Sequence, residues 1–444
     1  MMGDNNEMLT YQDAVDAIDR IPKFLETPSV EHTRSMLDAL GAPDRGMKII
    51  HVAGTNGKGS ICAFVSNMLM AQGYTVGTFT SPHLIRMNER IQINNVPVSD
   101  EEFLRAYKTV LDRCGHLGDM NYFEYLFAMA MDIYGRENLD YVVLEVGMGG
   151  RMDGTNAIYD PACCVIASIS FDHVEILGRT IPEIASAKAG IIKPGARVVY
   201  DATNPEASPV IEAEAALYGD PIKGVDATWF SGQRMEGGSQ VIHVEKGALA
   251  GRELRIPFIA EYQAVNTMIS VTVMESLGLL ETEEQRQKAQ AGIMSTKWPG
   301  RMQEVLPGVI IDGAHNEDGI KKFVETVRNV PCSGRKLLLF SAVKEKDVDL
   351  MARHIGLEAD FSRVVITEIE NSRQLGCQIL ADKLKEYYKG EIEVCPGIRR
   401  AFLQALKEKQ EDDLLFIAGS LYLGGAVMEL LEELKSKEEQ EAGL

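Results

Sequence analysis

No run of 18 or more apolar residues occurs in the chain, so nothing in it is long enough to cross a bilayer as a helix. The opening residues, MMGDNNEM, lack the basic and apolar stretch of an export signal. The seven cysteines form no C-x-x-C pair, and only Cys163 and Cys164 are adjacent. An odd, scattered set excludes a disulfide framework and predicts reduced, buried thiols. Positive charge is the scarcer sign: 45 Lys and Arg face 65 Asp and Glu, a net charge of −20. That balance opposes nucleic-acid binding. No internal repeat or low-complexity tract is present. Together these absences predict a cytoplasmic, soluble protein without nucleic-acid or membrane partners.

What is there begins with size. At 444 residues, 45% of them apolar, two globular domains are expected. The stretch that organises the first is Lys48–Ser60, KIIHVAGTNGKGS. An apolar run breaks into Gly54, Thr55, Asn56, Gly57, Lys58, Gly59 and Ser60, then passes straight into a helical pattern. Strand, glycine-rich turn and helix N-terminus surround one small volume with unpaired N–H groups and the positive end of a helix dipole. Lys58 supplies a point charge for β/γ-phosphate oxygens, and Ser60 can reach a bound Mg²⁺. The pattern departs from the usual phosphate loop in two places. Val52 stands where the first glycine belongs, and Gly59 separates Lys58 from Ser60.

If the ligands are anionic, local cations must hold them against an unfavourable global field. Lys58, Arg86, Arg90, Arg151, Lys188, Arg301 and Lys344 are the candidates. Patterning predicts helices over 10–25, from Ser99 towards Cys114, over 122–134, after Thr180 through Lys188, over 261–277 and over 282–295. Strands are expected at 75–79, 141–146 and 162–169. Beyond a break at Lys297-Trp298-Pro299-Gly300-Arg301, strands at 309–312, 336–341, 363–367, 392–395 and 414–418 each precede a helical stretch. Buried strands alternating with helices imply a parallel, doubly wound sheet. The expected fold is therefore α/β throughout, residues 1–297 forming a larger phosphate-loop domain and 298–444 a smaller Rossmann-like one. The site belongs at the carboxyl ends of both sheets, in the cleft between them.

Several polar residues stand just after predicted strands: Ser81, Glu145, and the pair Asp172 and His173. In a parallel sheet these ends converge on the phosphate loop, where a hydroxyl, a carboxylate and an imidazole suit Mg²⁺ shared with nucleotide oxygens. Taken alone, such a Glu is more often an ion-pair partner and such a His more often a satisfied structural group; it is the set, with the phosphate loop, that points to a metal.

Nine segments give the pattern a family context. GTNGKGS, TSPHL with NERI, YFEYLFAMAM, LEVGMGGRMDGTN, SFDHVEILG, AKAGIIKPG, WPGRMQEV, IDGAHN and SAVKEKD occur in the order that resembles the folylpolyglutamate synthases and bifunctional dihydrofolate synthases of the Mur ligase superfamily. The resemblance runs from about residue 10 to 430. It implies an ATP-dependent ligase that joins L-glutamate to a folate, or to dihydropteroate, through an acyl phosphate. It implies two Mg²⁺ ions, leaves a monovalent cation open, and suggests a monomer. Carried over residue by residue, Gly54 to Ser60 match the ATP phosphate loop, with Asn266, Arg301 and Asp312 as further ATP contacts. Ser81, Glu145 and His173 match the metal ligands, and Lys188 the lysine that carries a carbamate. Asn121, Tyr122, Phe123 and Glu124 match the pterin and pteroate pocket, with Met152, Asp153 and Gly154. His315 and Ser420 resemble residues near the incoming glutamate. Without the resemblance, Lys188 reads as a solvated helix lysine, and Tyr122 and Phe123 as helix core. The chain departs from the family at Ala187, commonly Glu, at Gly154, commonly Ala, and at Glu317, commonly Pro. The remaining alternatives are a cell-wall Mur ligase acting on a nucleotide-linked muropeptide and a phosphate-loop regulatory switch.

Overall fold

The computed structural model describes residues 9–23, 29–369 and 373–441. Eight strands build the first sheet: β1 (Ile49–Ala53), β2 (Val76–Phe79), β3 (Ile91–Ile93), β4 (Val96–Pro97), β5 (Tyr141–Glu145), β6 (Cys163–Ile166), β7 (Arg197–Asp201) and β8 (Ile222–Val225). Their order is β4-β3-β2-β5-β1-β6-β7-β8. From β2 to β8 every neighbour is parallel, while β3 and β4 add an antiparallel edge. The central strands read IIHVA, YVVLE and CCVI and are buried along their whole length. That is the signature of strands covered by helices on both faces. Val52, the non-glycine of the phosphate-loop pattern, belongs to β1, pairs with Glu145 and Val165, and is buried.

One face of this sheet packs against the phosphate-loop helix Lys58–Ala71 and the helices Gln263–Ser276 and Glu283–Ser295. The same core takes in an antiparallel sheet of β9 (Phe230–Glu236), β10 (Ser239–Val244) and β11 (Glu253–Ile256). Helices Val30–Ala39, Asp100–Cys114 and Tyr122–Arg136 cover part of the other face, and Ile181–Ala189 with Ser208–Ala216 cover the rest. The first helix is shorter than the periodicity predicts, Tyr11–Asp19 rather than 10–25. The last two residues of the expected span lie outside the described ones. The helix Val30–Ala39 and the β3–β4 hairpin are additions that the pattern did not announce.

The second sheet holds β12 (Gln303–Leu306), β13 (Val309–Ile311), β14 (Lys336–Phe340), β15 (Arg363–Ile366), β16 (Glu391–Val394) and β17 (Leu414–Ala418). Its order is β12-β13-β17-β14-β15-β16, parallel apart from the β12 edge. The two cores interlock at their junction. Trp298 packs on the first, whereas Ile259, Ala260 and Tyr262 pack with Met302 in the second. Among the described residues no helix is long and apolar enough to cross a membrane. All seven cysteines are free and all but Cys332 are buried.

Gln240 shows how the small antiparallel sheet steers the site. It is fully buried, and its amide nitrogen donates to Phe258 O at 2.9 Å and also to Ala260 O. That bond fixes the turn leading into Gln263–Ser276, the helix that carries Asn266. Gln240→Leu keeps the volume but leaves the Phe258 carbonyl without its donor. A destabilisation of about 1–3 kcal/mol is expected, read as a lower urea midpoint at unchanged slope.

Candidate functional site

The carboxyl ends of β1, β2, β5 and β6 meet at one edge of the first sheet, and the ends of β13, β14 and β17 face them. After β1 the chain turns through Gly54–Gly57 into the helix that begins at Lys58. Gly57, the N-cap, takes φ 88, a left-handed conformation that costs glycine nothing. A Cβ there would stand 2.6 Å from Asn266 Oδ1. Gly59, the extra glycine of the motif, has the Trp298 indole against it, 2.7 Å from where a Cβ would project. The departure from the usual spacing therefore has a packing cause. Beyond the loop, Gln263 donates to Ser60 Oγ at 3.0 Å and accepts from Asn266 Nδ2 at 2.9 Å. Gln263 is a buried relay that the sequence reading overlooked.

Lys58 Nζ donates to Gly54 O at 3.3 Å and Thr55 O at 3.2 Å, and lies 4.0 Å from Glu145 Oε1. Glu145 is buried at the end of β5, and its Oε2 accepts the Ser81 N–H at 3.0 Å. Burial pushes this carboxyl up, while Lys58, the Ser81 N–H and Arg301 pull it back. Lys188, on the helix Ile181–Ala189, is not a solvated lysine. It is 4% exposed and donates to Gly54 O at 2.8 Å. Burial, then repulsion from Lys58, lowers its ammonium to about 7. His173 follows β6 in a left-handed conformation, φ 50. Burial draws its imidazole down to about 4 against the pull of Asp172, with Lys346, Lys188 and Lys58 all acting downward. Ser81, Glu145, His173, Lys188 and Lys58 thus gather around one turn.

Ser81 and Glu145 offer a hydroxyl and a buried carboxylate beside that turn, and burial favours the neutral imidazole of His173. This donor set fits a hard divalent ion. Among the described residues no three His, Cys, Asp or Glu side chains form a metal centre by themselves.

The facing sheet supplies the other wall. Asp312, buried after β13, accepts N–H bonds from Met302 and Ala314 at 2.9 and 2.8 Å. Burial raises its carboxyl, opposed chiefly by Arg301. His315 Nδ1 lies 2.8 Å from Gly313 O, and burial, followed by Lys346, lowers it to about 4. Ser420, buried after β17, accepts the Tyr422 N–H at 3.2 Å. Several polar bridges join the halves. Asn56 Nδ2 donates to Asp318 at 2.7 Å, Asn316 Nδ2 donates to Asp172 at 3.0 Å, and Lys346 pairs with Asp172 at 2.6 Å. Asn316, Asp318 and Lys346 were not among the expected site residues. Asp172 and Lys346 lie inside quoted motifs, but a motif names no partner.

The expected substrate residues form an adjoining wall. Asn121 caps the helix Tyr122–Arg136 in a reciprocal box with Glu124. Glu124 also accepts from Thr33 at 3.2 Å. Asp153 accepts from Met148 N–H at 2.9 Å and from Thr155, and a Cβ on Gly154 would lie 3.2 Å from Glu124. Both carboxylates are thus engaged by the protein, while Met152 is exposed. Phe123 packs on Gly147, two residues past Glu145, and the Arg90 guanidinium lies over the Tyr122 ring at 5.4 Å. Of the cations expected to hold anions, Arg86 and Arg151 do not join the cluster. They are exposed and paired with Asp100 and Glu214.

Comparison with known proteins agrees with this layout. The Mur ligase middle domain family matches residues 52–274, and the Mur ligase glutamate ligase domain matches 300–421. The chain is 37% identical over 357 residues to the dihydrofolate synthase/folylpolyglutamate synthase of Bacillus subtilis, covering 78% of this chain and 82% of that protein. It is 31% identical to the folylpolyglutamate synthase of Lacticaseibacillus casei, covering 95% and 99%. The solved Mycobacterium tuberculosis folylpolyglutamate synthase complexed with ADP superposes with a TM-score of 0.87 at 28% identity, covering 95% and 98%.

The Asp172–Lys346 bridge generates a prediction. Burial pushes the Asp172 carboxyl up, but the Lys346 ammonium, His173 and the Asn316 amide outweigh burial and hold it well below the usual range. A depressed folded-state value stabilises the protein above the ordinary carboxylate pKa of about 4, and that contribution fades as pH falls further. Lys346→Ala is expected to cost about 3 kcal/mol at any pH between 5 and 8. The gap to wild type narrows below pH 4, as urea titrations across pH will show.

Proposed function

Because the chain belongs to the folylpolyglutamate and dihydrofolate synthases of the Mur ligase family, we propose that it joins L-glutamate to folates, and to dihydropteroate, at the expense of ATP. The observation that carries this reading is the convergence of the phosphate loop, the Ser81–Glu145 pair and Lys188 opposite Asn316 and Lys346 of the second sheet. A regulatory switch has no use for a second sheet closing on the phosphate loop. Ligation does, because its acyl phosphate must be kept from water until the amine arrives.

In this mechanism the substrate carboxylate attacks the γ-phosphorus of ATP, ADP leaves, and an acyl phosphate forms. The Lys58 ammonium and the N–H groups after Gly57 offset charge on the transferring phosphoryl group. Asn266, Arg301 and Asp312 hold the nucleotide from both sides. Magnesium, held by Ser81, Glu145, His173 and a carbamate on Lys188, would neutralise phosphate charge there. Lys188 is suited to that modification. An amine lowered to about 7 is substantially unprotonated at neutral pH, and conversion to an anionic carbamate removes its repulsion with Lys58. The amine of glutamate, delivered beside His315 and Ser420, then attacks the acyl carbon. The tetrahedral adduct expels phosphate and the amide remains. The pterin lies against Tyr122, Phe123 and Met152, with Asn121, Glu124, Asp153 and Gly154 shaping that wall. In this reading the two domains divide at 297/298, where the chain passes from the first core at Trp298 to the second at Met302. The enzyme works in the cytoplasm, where its free cysteines stay reduced.

Lys188→Ala should lower glutamate ligation by about 10²–10³-fold while nucleotide affinity, measured by calorimetry, stays within a few-fold. Near-normal turnover would remove the carbamate from the mechanism. Purified enzyme given ATP and labelled glutamate should form amide product with tetrahydrofolate and with dihydropteroate, and none with a UDP-muropeptide. Product from the muropeptide alone would reassign the enzyme to cell-wall synthesis.

A further inference from the structure

His51 lies in the middle of β1, three residues before Gly54, and is fully buried. An imidazole in an apolar strand needs a partner to offset desolvation. His51 Nε2 stands 2.8 Å from Thr155 Oγ1. The Thr155 hydroxyl donates to Asp153 Oδ1 at 2.5 Å, and that oxygen also accepts the Thr155 N–H at 3.0 Å. A hydroxyl has one proton to give. With that proton on Asp153, Thr155 Oγ1 is an acceptor, and His51 must be the neutral tautomer carrying its proton on Nε2. Burial, reinforced by the Lys193 ammonium, brings the imidazole down to about 3 and keeps it neutral. Its Nδ1 has no partner among the described residues. The other Asp153 oxygen accepts the Met148 N–H at 2.9 Å. A directed chain therefore runs from the strand feeding the phosphate loop, through Thr155 and Asp153, into the 147–154 loop on which Phe123 packs at Gly147.

We propose that His51 is a positioning residue for the acid substrate: by donating to Thr155 it aims the Asp153 carboxylate and holds the 147–154 loop as the pterin-facing wall. The proposal rests on the folate-ligase reading above. Full burial keeps His51 from touching any substrate, so its effect passes entirely through Thr155 and Asp153. An apolar residue in its place would leave Thr155 free to turn its hydroxyl elsewhere and would loosen the loop, not the phosphate site.

Steady-state kinetics on His51→Leu, His51→Gln, Thr155→Val and Thr155→Ser test this, with dihydropteroate and tetrahydrofolate as alternative acids. His51→Leu should raise the KM for the acid about tenfold while the KM for ATP stays within twofold and kcat changes little. Thr155→Val should do the same, and the double variant should be no worse than either single one, because both break one chain. His51→Gln, whose amide nitrogen reaches the Nε2 position, and Thr155→Ser should recover most of the loss. An unchanged acid KM in His51→Leu, a parallel rise in the KM for ATP, or multiplied effects in the double variant would each overturn the proposal. If His51→Leu does not fold, the Thr155→Val and Thr155→Ser pair decides on the same criteria. A wild type that uses tetrahydrofolate but not dihydropteroate overturns bifunctionality alone, and the tetrahydrofolate KM then decides the role of His51. A wild type that uses neither acid overturns the reading on which the proposal stands.

Discussion

Cationic side chains of Lys58, Lys188 and Lys346 share a volume around the Gly54 carbonyl and Asp172, inside a chain whose net charge is −20. Burial first, and then repulsion from Lys58, depresses the Lys188 ammonium in this poorly hydrated site. The arrangement suits a receptacle for anions, adding to a charge balance that Glu145 and Asp172 begin. The rest of the molecule arranges backbone and packing so that these groups cannot drift apart.

The two sheets enforce that confinement differently. In the first, parallel β-strands end together, so Gly54, Ser81, Glu145 and His173 need only follow β1, β2, β5 and β6 to arrive at one edge. The second contributes Asp312, His315, Lys346 and Ser420 after β13, β14 and β17 by the same logic. Beside the apolar seam at Ile259, Ala260 and Tyr262, side-chain amides and a buried ion pair join the halves: Asn56 to Asp318, Asn316 to Asp172, and Lys346 to Asp172. Polar joints of this kind exchange for water at small net cost.

Much of this was legible in the chain itself. The strand, glycine turn and helix start at Lys48–Ser60 announce a phosphate loop because each step has a local signature. Ser81, Glu145 and His173 each have an ordinary structural use, and stood out only jointly, as three strand-end polar residues in a chain that also carries a phosphate loop. Lys188 was legible only through family likeness, since its burial depends on a helix docking over the loop. Tertiary partners stayed hidden for the same reason. Lys346 and Asp172 are 174 positions apart, and nothing local marks either as the other's counterion. Gln263 looks like any polar helix residue until Ser60 is placed beside it, and Arg86 and Arg151 looked available until Asp100 and Glu214 were seen to hold them. The helix Val30–Ala39 was missed because its apolar stripe is interrupted by charge.

Trp298 packs on the first core, four residues before Met302 of the second, and its indole lies against Gly59 of the phosphate loop. The chain has just one other tryptophan, Trp229, which packs in the first core beside Gly247. Indole emission depends on the polarity and rigidity around the ring. The protein thus carries its own optical gauge at the point where loop and junction touch, with Trp229 as the one other indole, and a change of surroundings there alters the emission without a label.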